Sequence, residues 1–172
     1  MNREITFNEL FKRMKGRPKI IVETGTIRDA WAAVGDGHST IKFANYVIEN
    51  GGEFYSVDNS PDAVKVSKAC VKENKRVHIV CDDSLHFLEN FKEEIDILYL
   101  DSANDKHLIL DEAKIAINKL HKDSIILIDD AGKDSPPISQ KGKLVIPWLE
   151  KNGWKKVMDY YQVLFIKEME TI

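Results

Sequence analysis

The sequence predicts a doubly wound α/β domain, built on a mostly parallel seven-stranded sheet with helices on both faces and an antiparallel hairpin at the end of the chain. Three observations carry this. Five short, continuously apolar segments (KIIVE, EFYSVD, VHIVC, IDILYL and SIILI) alternate with stretches of helical periodicity. Strands that are apolar throughout are buried on both faces, as in a parallel sheet covered by crossover helices. The last two apolar segments lie too close together for a crossover helix, so they must pair antiparallel on the sheet edge.

The elements follow in order. Thr6 and Glu9 have the spacing of a capping box and open a short helix with Phe7, Leu10, Phe11 and Met14 on one face. Gly16, Arg17 and Pro18 end it before a strand over 19–23. A long loop covers 24–37. Ser39 or Thr40 then caps a helix to about residue 49, which Asn50-Gly51-Gly52 stops. The second strand spans 53–58, and Ser60-Pro61 forms an N-cap and first-turn pair for a helix to 74. A third strand over 77–81, a short helix over 84–91 and a fourth strand over 95–100 come next. A helix over 106–120 leads to the fifth strand, 124–128. The loop 131–141, with Pro136 and Pro137, precedes a helix over 143–151. Residues 154–168 read as two strands joined at Tyr161-Gln162.

Composition sets further bounds. The 172 residues have the length of one domain, with no repeat or linker, so a single domain over 1–172 is expected, burying roughly 70% of its unfolded surface. A net charge of −3 supplies no global field toward nucleic acid or anionic membrane. Lys12, Arg13, Lys15, Arg17 and Lys19 form a local basic cluster, read as a solvated face rather than a phosphate site. Cys70 and Cys81 read as two buried, reduced thiols, and no Cys/His spacing suggests zinc. No segment has the apolar length of a signal peptide or membrane span, so the expected location is cytoplasmic.

Ligands of open α/β sheets bind at the carboxyl ends of the strands. Here all five strands end in acid: Glu23, Asp58, Asp82-Asp83, Asp101 and Asp129-Asp130, with Asp36 in the first loop. Two carboxylates 4 Å apart repel by about 4 kcal/mol at an effective dielectric near 20, so a cationic partner is expected. A dinucleotide's pyrophosphate would be repelled, and the compact GxGxxG fingerprint is absent, which disfavours a nucleotide-linked dehydrogenase. A cofactor carrying an ammonium and a sulfonium but no phosphate suits the rim better, with Asp58 placed to bind a ribose diol. Gly25, Gly35 and Gly37 allow tight turning and close backbone approach in the first loop.

These residues also carry a family pattern. ETGT…GDGHST resembles the first motif of class I S-adenosylmethionine-dependent methyltransferases, in a variant split by an insertion at about 27–34. VDNSPDAV resembles the ribose motif and CDDSLHFL the adenine motif. IDILYLDSAND and IILIDDAG resemble the ends of strands four and five. The likeness covers about 20–132 and implies a Rossmann-like fold, S-adenosylmethionine as cofactor, and methyl transfer. By position it implies that Glu23, Gly25 and Thr26 line the methionine part, with Gly37, Ser39 and Thr40 at the helix start beside it. Asp58 would hold the ribose, Asp83 and Ser84 the adenine, and Asp101 would also touch the cofactor.

Within the class, Asp101, Asp129 and Asp130 resemble the metal triad of catechol-type and macrocin-type O-methyltransferases. That resemblance implies Mg²⁺, whose hard oxygen ligands leave sites for substrate and ease loss of a hydroxyl proton. The acceptor it implies is a small hydroxylated molecule such as a sugar or phenol. One departure stands out: where catechol-type enzymes carry a lysine base, three residues after the strand-four acid, this chain has Asn104. Lys106 is then the expected base, acting with Asp101, while His107 reads as a helix-start surface residue and His38 as a solvent-facing loop residue. A nucleic-acid methyltransferase on the same fold is an alternative, although Asp101-Ser102-Ala103-Asn104 lacks the Asp/Asn-Pro-Pro-aromatic motif of base methylation. A non-catalytic binding module is another. With no inserted cap domain, an acceptor pocket is shallow unless the loop 131–141 or a second subunit covers it, hence the expectation of a homodimer.

Overall fold

Alternate side chains of a strand point to opposite faces, so a strand apolar at every position has to be covered twice. The computed structural model, which describes residues 3–17, 19–29 and 38–167, shows that solution. Seven strands, β1 (Lys19–Thr24), β2 (Gly52–Asp58), β3 (Val77–Cys81), β4 (Ile95–Leu100), β5 (Leu120–Ile128), β6 (Trp154–Asp159) and β7 (Val163–Lys167), form one sheet in the order β3-β2-β1-β4-β5-β7-β6. The β1–β2, β1–β4, β2–β3 and β4–β5 pairings are parallel. β7 pairs antiparallel with both β5 and β6, the hairpin expected from the chain's end. The strand order reverses at β1, which lies between β2 and β4. A crevice opens at such a switch point.

Six helices cover the sheet among the described residues: α1 (Arg3–Met14), α2 (Ser39–Asn50), α3 (Pro61–Cys70), α4 (Ser84–Asn90), α5 (Lys106–Ala116) and α6 (Gly142–Lys151). The alternation in β4 divides the core. Leu98 and Leu100 join Val22, Ile126 and Ile128 under Leu88 of α4, Ile109 and Ala113 of α5, and Val145 and Leu149 of α6. Ile97 and Tyr99 face the other way, with Ile21, Phe54 and Leu127, under Phe7, Leu10 and Met14 of α1 and Phe43 and Val47 of α2.

Several boundaries differ from expectation. α1 begins at Arg3, so Thr6 is not a cap. It lies inside the helix, fully buried, because Arg3 is anchored by a distant partner described below. At the start of α2 the cap position is His38, in a left-handed conformation with φ 42° and no side-chain cap bond. Ser39 and Thr40 are the first helical residues, and the Thr40 hydroxyl is used by Glu23 instead. The Ser60-Pro61 pair does start α3, with the Ser60 hydroxyl accepting from Ala63 N. α3 stops at Cys70 rather than 74, where Val71 turns to extended geometry and packs against the second core. α5 ends at Ala116, and a single 3-10 turn (Ile117–Lys119) leads into β5, which starts at Leu120. The cysteines are not buried as expected. Cys70 is half-buried and Cys81 exposed, because each ends its element and β3 is an edge strand. Most of the basic cluster is a solvated face, with Lys12, Lys15 and Arg17 exposed and Arg13 paired to Glu9; Lys19 departs from that reading, buried in β1 and paired to Asp96. No described helix is long and apolar enough to cross a membrane.

Phe43 locks α1, α2 and the sheet together. Its ring centroid lies 5.7 Å from Phe7, 5.7 Å from Phe54 and 5.5 Å from Tyr99. Phe43→Ala is expected to cost about 3–5 kcal/mol, seen as a lower urea midpoint with an unchanged m-value.

Candidate active site

The parallel ladder continues one residue past the strands, and this places the acids. Asp101 N donates to Thr24 O (3.0 Å) and Asp129 N to Leu100 O (3.1 Å), setting the ends of β1, β4 and β5 side by side. Gly25 allows the closest approach. Its φ is +83°, and a Cβ there would lie 2.3 Å from the Asp101 carbonyl oxygen. A cavity of about 450 Å³ opens over this junction, the size of a small-molecule site. Glu23, Thr26, Arg28, Ser39, Thr40, Tyr99, Asp101, Asp129 and Asp130 line it, together with Arg3 from α1 and Lys141 from the loop before α6.

Glu23 is 1% exposed, and its Oε2 accepts from Ser56 Oγ (2.6 Å) and Thr40 Oγ1 (2.8 Å). Burial pushes its carboxyl up to about 7; hydroxyl bonds from Ser39, Ser56 and Thr40 oppose this, and the charge of Asp129 adds to it. Asp58 accepts from Ser60 N (2.9 Å) and Thr26 N (3.3 Å), which ties the end of β2 to the first loop. Arg28 Nε lies 3.9 Å from Asp58, and Arg28 Nη2 donates to Ser102 O (3.3 Å), so this exposed side chain reaches from the end of β2 to the end of β4. Beneath the junction the buried Glu112 of α5 accepts from Thr24 Oγ1 (3.1 Å). Its carboxyl is raised by burial, while the nearby Ser84, Ser102 and Thr24 hydroxyls pull the other way.

Asp101, Asp129 and Asp130 do converge, with one oxygen of each within 4.8 Å of the others. Their charges are met from within the chain. Arg3 Nε and Nη2 donate to Asp129 Oδ1 (2.8 Å) and Oδ2 (2.9 Å), and Nη2 also donates to Asp130 Oδ1 (2.8 Å). The guanidinium stacks on Tyr161, 4.2 Å from the ring centroid. Gln162 Nε2 donates to Asp129 Oδ1 (2.7 Å) and to the Tyr99 hydroxyl (2.9 Å). Lys141 Nζ donates to Asp101 Oδ1 and lies 3.8 Å from Asp130 Oδ2. Burial alone would raise Asp129, but the Arg3 fork holds it below the ordinary carboxylate range. Burial and the charge of Asp129 push Asp101 and Asp130 upward, with Lys141 opposing. The Asp101 side chain keeps 31% of its surface exposed, and solvent moderates the push there. Desolvation works against the charges of Arg3 and Lys141, but the carboxylates outweigh it and hold both protonated. Mg²⁺ requires oxygen ligands at about 2.0–2.1 Å. With Arg3 and Lys141 seated on these oxygens, the cluster gathers as the sequence suggests but does not fit that ion.

The expected cofactor residues are only partly gathered. Glu23, Thr26, Ser39, Thr40 and Asp101 line the cavity, while Gly25 does not and packs instead against the Asp101 backbone. Asp58, at the end of β2, and Asp83 and Ser84, after the edge strand β3, do not line it, and the Asp83 carboxylate caps α4 by accepting from Leu85 N and His86 N. Gly35, Asp36 and Gly37 lie outside the described residues. Lys106 is the first residue of α5 and does not line the cavity. His38, expected to face solvent, is half-buried and lines it. Arg3, Lys141 and Gln162 were not picked out from sequence. Arg3 carried no signal, since the expected helix began at Thr6 and left Arg3 outside it. Lys141, in an irregular proline-containing loop, carried none.

A sheet in this order, with an acid-lined cavity at its switch point, defines a class I methyltransferase fold. A methyltransferase domain family model matches residues 33–131, and the chain belongs to that family. By sequence, no curated protein matches it. A proposed O-methyltransferase from Klebsiella pneumoniae superposes with a TM-score of 0.72 at 16% identity, over 98% of this chain and 81% of that one. The SAH-bound methyltransferase PaMTH1 of Podospora anserina gives 0.71 at 18% identity, over 94% and 76%. The N-methyltransferase NodS of Bradyrhizobium japonicum gives 0.61 at 14%, over 98% and 99%. At such identities the likeness is one of fold.

Two outcomes follow from this geometry. Arg3→Ala leaves Asp129 buried without its cation and should cost about 3–5 kcal/mol in chemical denaturation, with Arg3→Lys recovering only part because lysine lacks the fork. Glu23 holds its proton up to about pH 7 when folded but only to about 4.5 when unfolded. The stabilisation this gives is complete below the lower value and is lost as pH rises through the upper one. Between about pH 5 and pH 8 the native chain should therefore lose up to about 3 kcal/mol more stability than Glu23→Gln.

Proposed function

We propose that the chain transfers a methyl group from S-adenosylmethionine to an oxygen of a small hydroxylated acceptor. The observation that carries this reading is the cavity itself, a carboxylate-lined pocket at the switch point of a methyltransferase-family domain. Its donor set fits the cofactor. Glu23 is a buried acid whose hydrogen bonds among the described residues come from hydroxyls, and Asp58 stands at the end of β2. Glu23, Thr26, Ser39 and Thr40 would receive the methionine part, Asp58 the ribose hydroxyls, and Asp83 with Ser84 the adenine. When bound, the cofactor supplies an electrophilic methyl group on a sulfonium.

The chain's own residues do the rest. An acceptor hydroxyl set against Asp101 gives up its proton toward that carboxylate, whose proton affinity is raised by burial and by Asp129. The Lys141 ammonium beside it stabilises the oxygen as negative charge develops. Holding both partners in one cavity turns a bimolecular encounter into a positioned one. Lys106 lies away from this arrangement and is given no part in it. No step passes through a metal ion.

Calorimetric titration with S-adenosylhomocysteine tests the reading. Binding in the micromolar range is expected, and Asp58→Ala should weaken it by about 10- to 100-fold, the worth of lost charge-assisted hydrogen bonds to a diol. A folded protein that gives no heat with this ligand would sink the cofactor assignment. Unchanged affinity in Asp58→Ala would displace the ribose from the end of β2.

A further inference from the structure

Of the six oxygens of Asp101, Asp129 and Asp130, five face nitrogen donors of the chain: both of Asp129, both of Asp130 and Oδ1 of Asp101. The two cations that meet them are not loose surface groups. The whole Arg3 residue is 6% exposed and Lys141 4%. Arg3 is held by its fork on Asp129 and by Tyr161, and a guanidinium cannot give up its charge to make room.

Lys141 is delivered by a clasped loop. Asn104 Oδ1 accepts from Gln140 N (2.7 Å), and Asn104 Nδ2 donates to Ile138 O (3.3 Å). The Ser139 hydroxyl donates to the Asp130 carbonyl. On the other side Gly142 packs so closely that a Cβ would lie 2.8 Å from the Ala131 carbonyl oxygen. Asn104 is also the position at which the sequence departs from the catechol-type pattern. It clasps the segment that brings a different lysine, from after β5, into contact with the acid after β4.

We propose that Arg3 and Lys141 together stand where a divalent ion is bound by the metal-assisted enzymes the sequence resembles, and that Lys141 is the positive group facing the acceptor oxygen. The inference rests on the proposed methyl transfer for the acceptor, but its occupancy half does not. Three carboxylates and two permanent cations leave one net negative charge. A divalent ion bound by Asp101 Oδ1 and Asp130 Oδ2 together would have to displace Lys141 from a clasped, buried position.

Mn²⁺ titration followed by electron paramagnetic resonance tests this, with S-adenosylhomocysteine calorimetry and thermal melts on the same samples. The native protein should leave the free Mn²⁺ signal unchanged in the sub-millimolar range. Lys141→Met, which keeps the stem but removes the charge, should raise Mn²⁺ affinity by about tenfold or more, since it deletes a positive charge within contact distance of two carboxylates. Lys141→Arg should remain blind to the ion. Tight Mn²⁺ binding by the native protein that disappears in Asp101→Asn would overturn the proposal, as would a folded Lys141→Met that gains no affinity. S-adenosylhomocysteine binding reports separately. Its loss in the native protein removes the methyl-transfer reading while the Mn²⁺ result still decides which cation the cluster takes.

Discussion

Asp101, Asp129 and Asp130 are brought together by continuation of the backbone ladder past β4 and β5, and their mutual repulsion has to be met before the chain can close. At effective dielectrics typical of partly buried sites, each close carboxylate pair costs about 4 kcal/mol. Arg3 and Lys141 offset that cost, and each brings a segment of chain with it. Arg3 carries α1, whose other side chains Phe7, Leu10 and Met14 complete the apolar layer under α2. Docking of the first helix and neutralisation of the acids are therefore one event. Lys141 carries the loop 131–141, held to Asn104, and so links α6 to the end of β4. The chain's own loop covers the acid cluster from that side.

This arrangement divides the cavity electrostatically. Around Asp129 the negative charge is answered by buried cations. Around Glu23 it is answered by hydroxyls and, below about pH 7, by a proton that burial favours. Among the described residues, Glu23 and Asp58, at the ends of β1 and β2, are paired with no buried cation. A positively charged ligand is attracted there, while a ligand of opposite polarity, or an oxygen gaining negative charge, is better served beside Lys141. Under the proposed reaction the two halves receive the cofactor and the acceptor respectively.

The parallel strands and the hairpin were legible from residue types, because continuous apolarity and short connections leave few topologies open; the order that reverses at β1 is seen only in the folded sheet. The acids at the strand ends were legible too, since Glu23, Asp58, Asp101 and Asp129 directly follow or close apolar runs. Boundaries that depend on distant partners were not. The start of α1 is moved by Arg3's contact with a residue 126 positions away, and Thr40 leaves its capping role for Glu23. Burial of Cys81 was misjudged because nothing in VHIVC shows that its strand lies at the sheet edge.

Local sequence thus determined which segments become strands, in what connectivity, and that a ring of acids would crown them, because periodicity and chain reach are properties of neighbouring residues. Only the tertiary structure decided what answers those acids. Which cation meets which carboxylate depends on where a helix from the start of the chain and a loop from near its end come to rest, and no local pattern specifies that. The same carboxylates read from sequence as ligands for an external ion are, in the folded chain, partners of Arg3 and Lys141.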